Sequence, residues 1–257
     1  MELNLNGKIA IVTGASRGIG AAIARNLAGE GVRLVLVART SDHLESLAAT
    51  LPTDCLVQAL DLRDPQVPAE VISAALTRFG RIDILVNNAG ATRRGDFLAL
   101  PDEDWADGFA LKFFGAMRCC RAAWPHLVAC QGAIVNIIGV GGRMGNADFT
   151  IGGSVNSALI NLTKSLADRG VQEGVRINAI NPGSIRTDRL QIRIRSFAQQ
   201  HGLDETQAAV ELAKIQGVTR FGTSDEIARA VTFLVSPQAS YINGAILDVD
   251  GGQTRAL

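Results

Sequence analysis

KIAIVTGASRGIGAAIARNLAGEG, Lys8 to Gly31, carries a strand, a turn and a helix in one run. Ile9 to Val12 are apolar without alternation, the pattern of a short strand covered on both faces. The run stops at Thr13, and Gly14, Gly18 and Gly20 then crowd into a turn that opens a helix rich in alanine and leucine. Small residues at that junction let backbone N–H groups approach a pyrophosphate, and the helix dipole favours negative charge there. A glycine pattern alone is weak, since it also suits a purely structural turn. Placed between a strand and a helix in a β-α-β unit, it reads as a dinucleotide site.

Outward from this stretch, six more β-rich runs recur at helix-length intervals: RLVLVAR, CLVQALDL, IDILVNNAG, GAIVNIIG, RINAINPG and AILDVDGG. Most are nearly all apolar, so the spacing predicts a Rossmann-type, doubly wound α/β fold: a seven-stranded parallel sheet with helices on both faces. No linker composition interrupts it, and one domain over residues 1–257 is expected. The segment 184–217 departs from the repeat with an Arg- and Gln-rich helical character. It is expected to be a small helical lid inserted over the strand ends, where open α/β sheets bind ligands.

Composition narrows the function classes. Lys plus Arg and Asp plus Glu are 25 each, for a net charge of zero, so nothing global points to nucleic acid or an anionic membrane. MELNLNGKIAIVTG has neither the charge pattern of a signal peptide nor the length of a membrane span, and a cytoplasmic location is expected. Cys55, Cys119, Cys120 and Cys130 form no CxxC pair and read as reduced thiols. His43, His126 and His201 lack metal-ligand spacing, so no metal is expected.

The second strand ends in Ala38-Arg39, with no carboxylate for a ribose 2′-hydroxyl, and Arg17 lies inside the glycine turn. Both favour the 2′-phosphate of NADP(H) over NAD(H), with a solvated strand-end cation as the plain alternative for Arg39. Asp61, ending the third strand, is a candidate adenine contact or a turn cap.

With TGASRGIG, NNAG at Asn87 to Gly90, INPGSIRT and DVDGG in place, nearly the whole chain resembles the short-chain dehydrogenase/reductase family. The resemblance implies one Rossmann-type domain, a nicotinamide cofactor and a homotetramer, the helices with Cys119, Cys120, Leu159 and Leu162 having apolar surface to spare for partners. It places cofactor contacts at Gly14, Ser16, Arg17, Gly18, Ile19, Gly20, Arg39, Asp61, Leu62, Asn88, Ala89, Gly90, Pro182, Gly183, Ile185 and Thr187.

The family transfers hydride with an Asn, a Ser, a Tyr and a Lys, and this sequence departs from all four. Aligned through LINLTKSLA, Gly152 stands at the Tyr position, Asn156 at the Lys position and Gly139 at the Ser position, while Lys112 stands at the Asn position. The only tyrosine, Tyr241, falls in the last β-α region, and Lys164 lies more than two helical turns past Asn156. Lys112 and Asn156 therefore read as the family's Asn and Lys exchanged between two helices facing one cleft. Lys112 either serves as proton donor, base or anchor for an oxyanion, or only snorkels or binds cofactor. Arg94, Arg143, Asp148 and Arg189, with Arg93, Thr150, Arg186, Arg193 and Arg195 nearby in sequence, could line the mouth. Their charge suggests an anionic ligand, such as a carboxylate or an acyl carrier, although each alone suits a solvated helix face.

Two functions fit. One is an oxidoreductase, or another cofactor-assisted enzyme, acting on a small carbonyl-type substrate through Lys112. The other is a catalytically silent nucleotide-binding subunit, paired with an active relative in a hetero-oligomer.

Overall fold

The computed structural model describes residues 2–255. Each apolar run becomes a parallel strand: β1 Ile9–Thr13, β2 Arg33–Ala38, β3 Cys55–Ala59, β4 Ile84–Asn87, β5 Ala133–Ile137, β6 Arg176–Pro182 and β7 Ile246–Val249. They lie in the order β3-β2-β1-β4-β5-β6-β7, which is the predicted seven-stranded doubly wound sheet. The order reverses between β1 and β4, and the crevice beyond their carboxyl ends is where such sheets bind ligands.

Non-alternating strands need cover on both sides, and two hydrophobic clusters supply it. On one face Ala10, Val12, Leu34 and Leu36 meet α1 (Gly18–Gly29), α2 (Ser41–Ala48) and α9 (Ser224–Val235). On the other, Ile11, Val35, Val37 and Leu85 meet α3 (Val67–Phe79), α5 (Gly115–Cys130) and Ala167 near the end of α6 (Thr150–Glu173). Successive residues of β1 thus enter opposite cores, as period-two side-chain geometry requires.

A continuous helical run leads into α5: α4 (Asp102–Gly108), then a π-helical segment Phe109–Phe114, then Gly115. The π segment, FALKFF, contains Lys112. Between β6 and α9 stand α7 (Asp188–His201) and α8 (Glu205–Ile215), the two helices of the 184–217 insertion. They pack through a cluster of their own, with Leu190, Ile194, Ala208, Leu212 and Phe221 buried together.

Cys119, Cys120 and Leu159 are buried inside this chain, and Leu162 packs partly buried against the cluster that holds Leu159. All four cysteines are free thiols, and burial pushes the thiol of Cys120 up to about 12 and that of Cys119 higher still. No described helix is long and apolar enough to cross a membrane, and no described group of His, Cys, Asp or Glu could hold a metal ion.

Candidate functional site

The glycine turn is tied to the end of β4 before any ligand is considered. The Thr13 hydroxyl donates to the Val86 carbonyl at 3.3 Å and accepts from the backbone N–H of Asn88 and Ala89 at 2.9 and 3.0 Å. The Asn88 amide donates to the Thr13 and Gly14 carbonyls at 3.0 and 3.1 Å. Two glycines are needed for that closeness. A Cβ on Gly20 would lie 2.2 Å from the Gly14 carbonyl oxygen, and one on Gly14, whose φ is +66°, would lie 2.9 Å from Ala89 Cα. The chain therefore presents bare backbone at the start of α1, the requirement for a phosphate cradle.

A cleft of about 370 Å³ opens there, lined by Gly14, Ser16, Arg17, Gly18, Ile19, Arg39, Asp61, Leu62, Asn88, Ala89, Gly90, Thr187 and Arg189. Most of the expected cofactor contacts are thereby brought together. Gly20 packs behind the turn, and three others are not among the residues lining the cleft: Pro182 is buried at the end of β6, Gly183 abuts Asp250 and Gln253, and Ile185 is buried and bridges to Gly222. Asp61 keeps both of its sequence readings, since it lines the cleft while its carboxylate accepts from the Arg63 N–H at 3.1 Å. Arg17 and Arg39 are exposed along the cleft, Arg17 lying 3.9 Å from Asp188. A larger cavity of about 660 Å³ lies between α7, α8 and Phe221 but shares only Thr187 and Asp188 with the glycine-lined cleft.

Against Gly90 of the cleft's lining stands Lys112. Its stem crosses Gly90, where a Cβ would come within 2.9 Å of the lysine Cδ. Its ammonium donates to the Ile138 carbonyl and to Asn156 Oδ1, both at 2.5 Å. The Asn156 amide in turn donates to the Gly139 carbonyl at 3.4 Å. Helix α6 and the π segment thus meet through the two polar groups expected to be exchanged. Burial first, and then the charge of Arg189, push Lys112 from 10.5 down to about 7, so its protonated and neutral forms coexist near neutrality. A neutral amine would spend both hydrogens on these two oxygens and keep its lone pair free.

Gly139 and Gly152 shape the site by what they omit. Gly139 has φ +133°, a conformation L side chains rarely adopt, and its N–H donates to Asn181 Oδ1 at 3.3 Å. A Cβ on Gly152 would lie 2.0 Å from the ring of Phe149, and one on Gly141 2.9 Å from it. The Phe149 ring therefore fills the space a side chain at 152 would take. Sequence reasoning missed this residue, although an aromatic three positions before a glycine in a helical first turn was the available signal.

Of the expected mouth residues, Arg94 stacks on Phe149 with its guanidinium carbon 4.1 Å from the ring centroid, and Asp148 and Arg193 both bear on its charge. Asp148 also joins the two loops, its carbonyl accepting from the Gly95 N–H at 3.2 Å. Arg189 lines the nucleotide cleft itself and donates to the Gly90 carbonyl at 2.7 Å. Arg143 is turned to the sheet edge, where Asp248 of β7 holds it at 3.1 Å. Arg93 and Arg195 pair with Asp104 and Glu205.

A family model described as enoyl-(acyl carrier protein) reductase matches residues 14–254. The chain is 36% identical over 251 residues to the 3-oxoacyl-[acyl-carrier-protein] reductase FabG of Vibrio cholerae, covering 97% of this chain and 98% of that one. It superposes on the L-sorbose reductase of Gluconobacter frateurii, solved with NADPH and L-sorbose, with a TM-score of 0.95, 32% identity and full coverage of both chains. It also superposes on YwfH, an NADPH-dependent reductase involved in bacilysin biosynthesis, with a TM-score of 0.91, 28% identity and coverage of 97% and 99%.

Proposed function

The chain belongs to the short-chain dehydrogenase/reductase family, and from that membership we propose that it is an NADP(H)-dependent reductase of a small anionic carbonyl compound, with Lys112 donating the proton. The observation that carries this reading is the placement of Lys112: its stem lies across Gly90 in the cofactor cleft and its ammonium sits between Ile138 and Asn156.

NADP(H) is the cofactor, and the residues fit it. The backbone cradle at Gly14 to Ile19 accepts phosphates, and Arg17 and Arg39 supply cations on the same wall, with no carboxylate ending β2. When bound, the nicotinamide exchanges a hydride with the carbonyl carbon. The remaining work falls to this chain. A carbonyl that accepts hydride develops negative charge on oxygen, and a nearby ammonium both stabilises that charge and gives up a proton to it. Lys112 takes the part that a tyrosine plays elsewhere in the family, because Phe149 and Gly152 leave no place for a phenol on α6. A pKa near 7 leaves enough ammonium to donate and enough amine to be reloaded from water.

Arg94 and Arg189 stand near the site, with Arg193 and Asp148 both bearing on Arg94, and neither Arg94 nor Arg189 has a carboxylate within salt-bridge distance among the described residues. That excess of positive charge favours a substrate bearing a carboxylate or another anion. The test is a screen of small oxo acids for NADPH oxidation, repeated with Lys112→Ala. We expect kcat to fall by about a hundredfold or more while the NADPH dissociation constant stays within a fewfold. Full activity in Lys112→Ala sinks the assignment.

A further inference from the structure

Gly90 is touched from two sides. Its carbonyl accepts from Arg189 of α7 at 2.7 Å, and its Cα face carries the stem of Lys112. Arg189 lines the same cleft as the glycine turn, and it has no acidic partner among the described residues. Its own pKa is lowered by burial and then by Arg17, the cation of that turn. Arg17, Arg189 and Lys112 thus form a row of like charges from the phosphate cradle to the proposed proton donor.

We infer that Arg189 is a positioning residue that couples the dinucleotide to Lys112, holding the Gly90 loop under the lysine stem and presenting a charge that bound phosphates neutralise. This rests on the NADP(H) reductase reading. Around Lys112, the residue just after β5 contributes the Ile138 carbonyl, α6 the neutral Asn156 and α7 the Arg189 guanidinium. Because Arg189 is the charged group that bears on Lys112, neutralising it favours the ammonium form. An anionic cofactor entering the cleft thereby loads the lysine with a proton taken from solvent, before any substrate arrives. No covalent change is involved, since one proton moves from water or buffer to Lys112 Nζ.

The chain has four lysines, Lys8, Lys112, Lys164 and Lys214, so carbon-13 labelling of lysine gives a spectrum in which Lys112 is assigned by Lys112→Arg. In the cofactor-free protein, Arg189→Leu should raise the Lys112 midpoint by about half a unit to one unit, whereas Arg189→Lys, which keeps the charge, should leave it near the wild-type value. Adding NADPH should raise the midpoint in the wild type and raise it less in Arg189→Leu. An unmoved midpoint in cofactor-free Arg189→Leu, or equal rises on adding NADPH, overturns the coupling. Wild-type protein that fails to bind NADPH sinks the reductase reading instead, and the cofactor-free comparison still decides whether Arg189 sets Lys112.

Discussion

Lys112 carries a stability cost at the level of a single side chain. Its folded pKa lies near 7, below the 10.5 of a free lysine, so between those values the unfolded chain binds more protons than the folded one. Stability should therefore rise with pH through that window, by at most about 1.4 kcal/mol per unit, and the penalty should be fully present below pH 7. Replacing Lys112 with methionine, which has similar length and no charge, should remove this slope. Urea unfolding at several values between pH 7 and pH 10 measures it. A slope unchanged in Lys112→Met means that the lysine is not perturbed in the folded state. The same bookkeeping explains why a group this costly needs both the Ile138 carbonyl and Asn156 Oδ1 as partners, since a buried ammonium without acceptors would be costlier still.

Elements that rely on one physical signal were legible in the sequence, and those that rely on two chains of residues meeting in space were not. Every strand followed from a β-rich run, most of them nearly all apolar, and the glycine turn from its place between β1 and α1. The π segment did not, because FALKFF has no pattern that distinguishes one extra residue per turn from an ordinary helix. The packing at the start of α6 was not legible for a related reason. The sequence places glycine at 152 but does not show that Phe149 from the preceding turn folds back over Gly141 and Gly152. This packing makes a prediction about the element. Gly152→Ala forces the Phe149 ring aside or opens the start of α6, and should cost about 1–3 kcal/mol, the range for overpacking. Phe149→Ala removes the clash, so adding Gly152→Ala to Phe149→Ala should cost much less. Thermal unfolding of the four proteins in this cycle measures the coupling, and additive effects would show that the ring does not occupy that space. Gly139→Ser and Gly152→Tyr would therefore meet two barriers, the +133° backbone at Gly139 and the Phe149 ring.

Across the whole molecule, the two sides of the cleft differ in how they are held. The glycine turn belongs to the sheet, where Ile9, Ile11, Val12, Leu85 and Val86 are fully buried between helical layers. The opposite wall, α7, rests mainly on α8 through the separate cluster around Leu190, Ile194 and Leu212. Its ties to the body are few: the bridge between Ile185 and Gly222, the Arg189 bond to Gly90, and the exposed approach of Arg17 to Asp188, a kind of pair that adds little in water. Local opening free energies follow buried apolar contact, so α7 and α8 should open before the sheet does. Hydrogen exchange should show amides of α7 and α8 exchanging at least about tenfold faster than those of β1 and β4. NADPH should slow exchange in the first turn of α7 more than in α8, because Thr187 and Arg189 line the cofactor cleft and α8 does not reach it. Equal protection of α7 and β1 in the cofactor-free protein would mean that the two walls form one cooperative unit. Arg189 would then act on Lys112 through charge alone, without any movement of the helix that carries it.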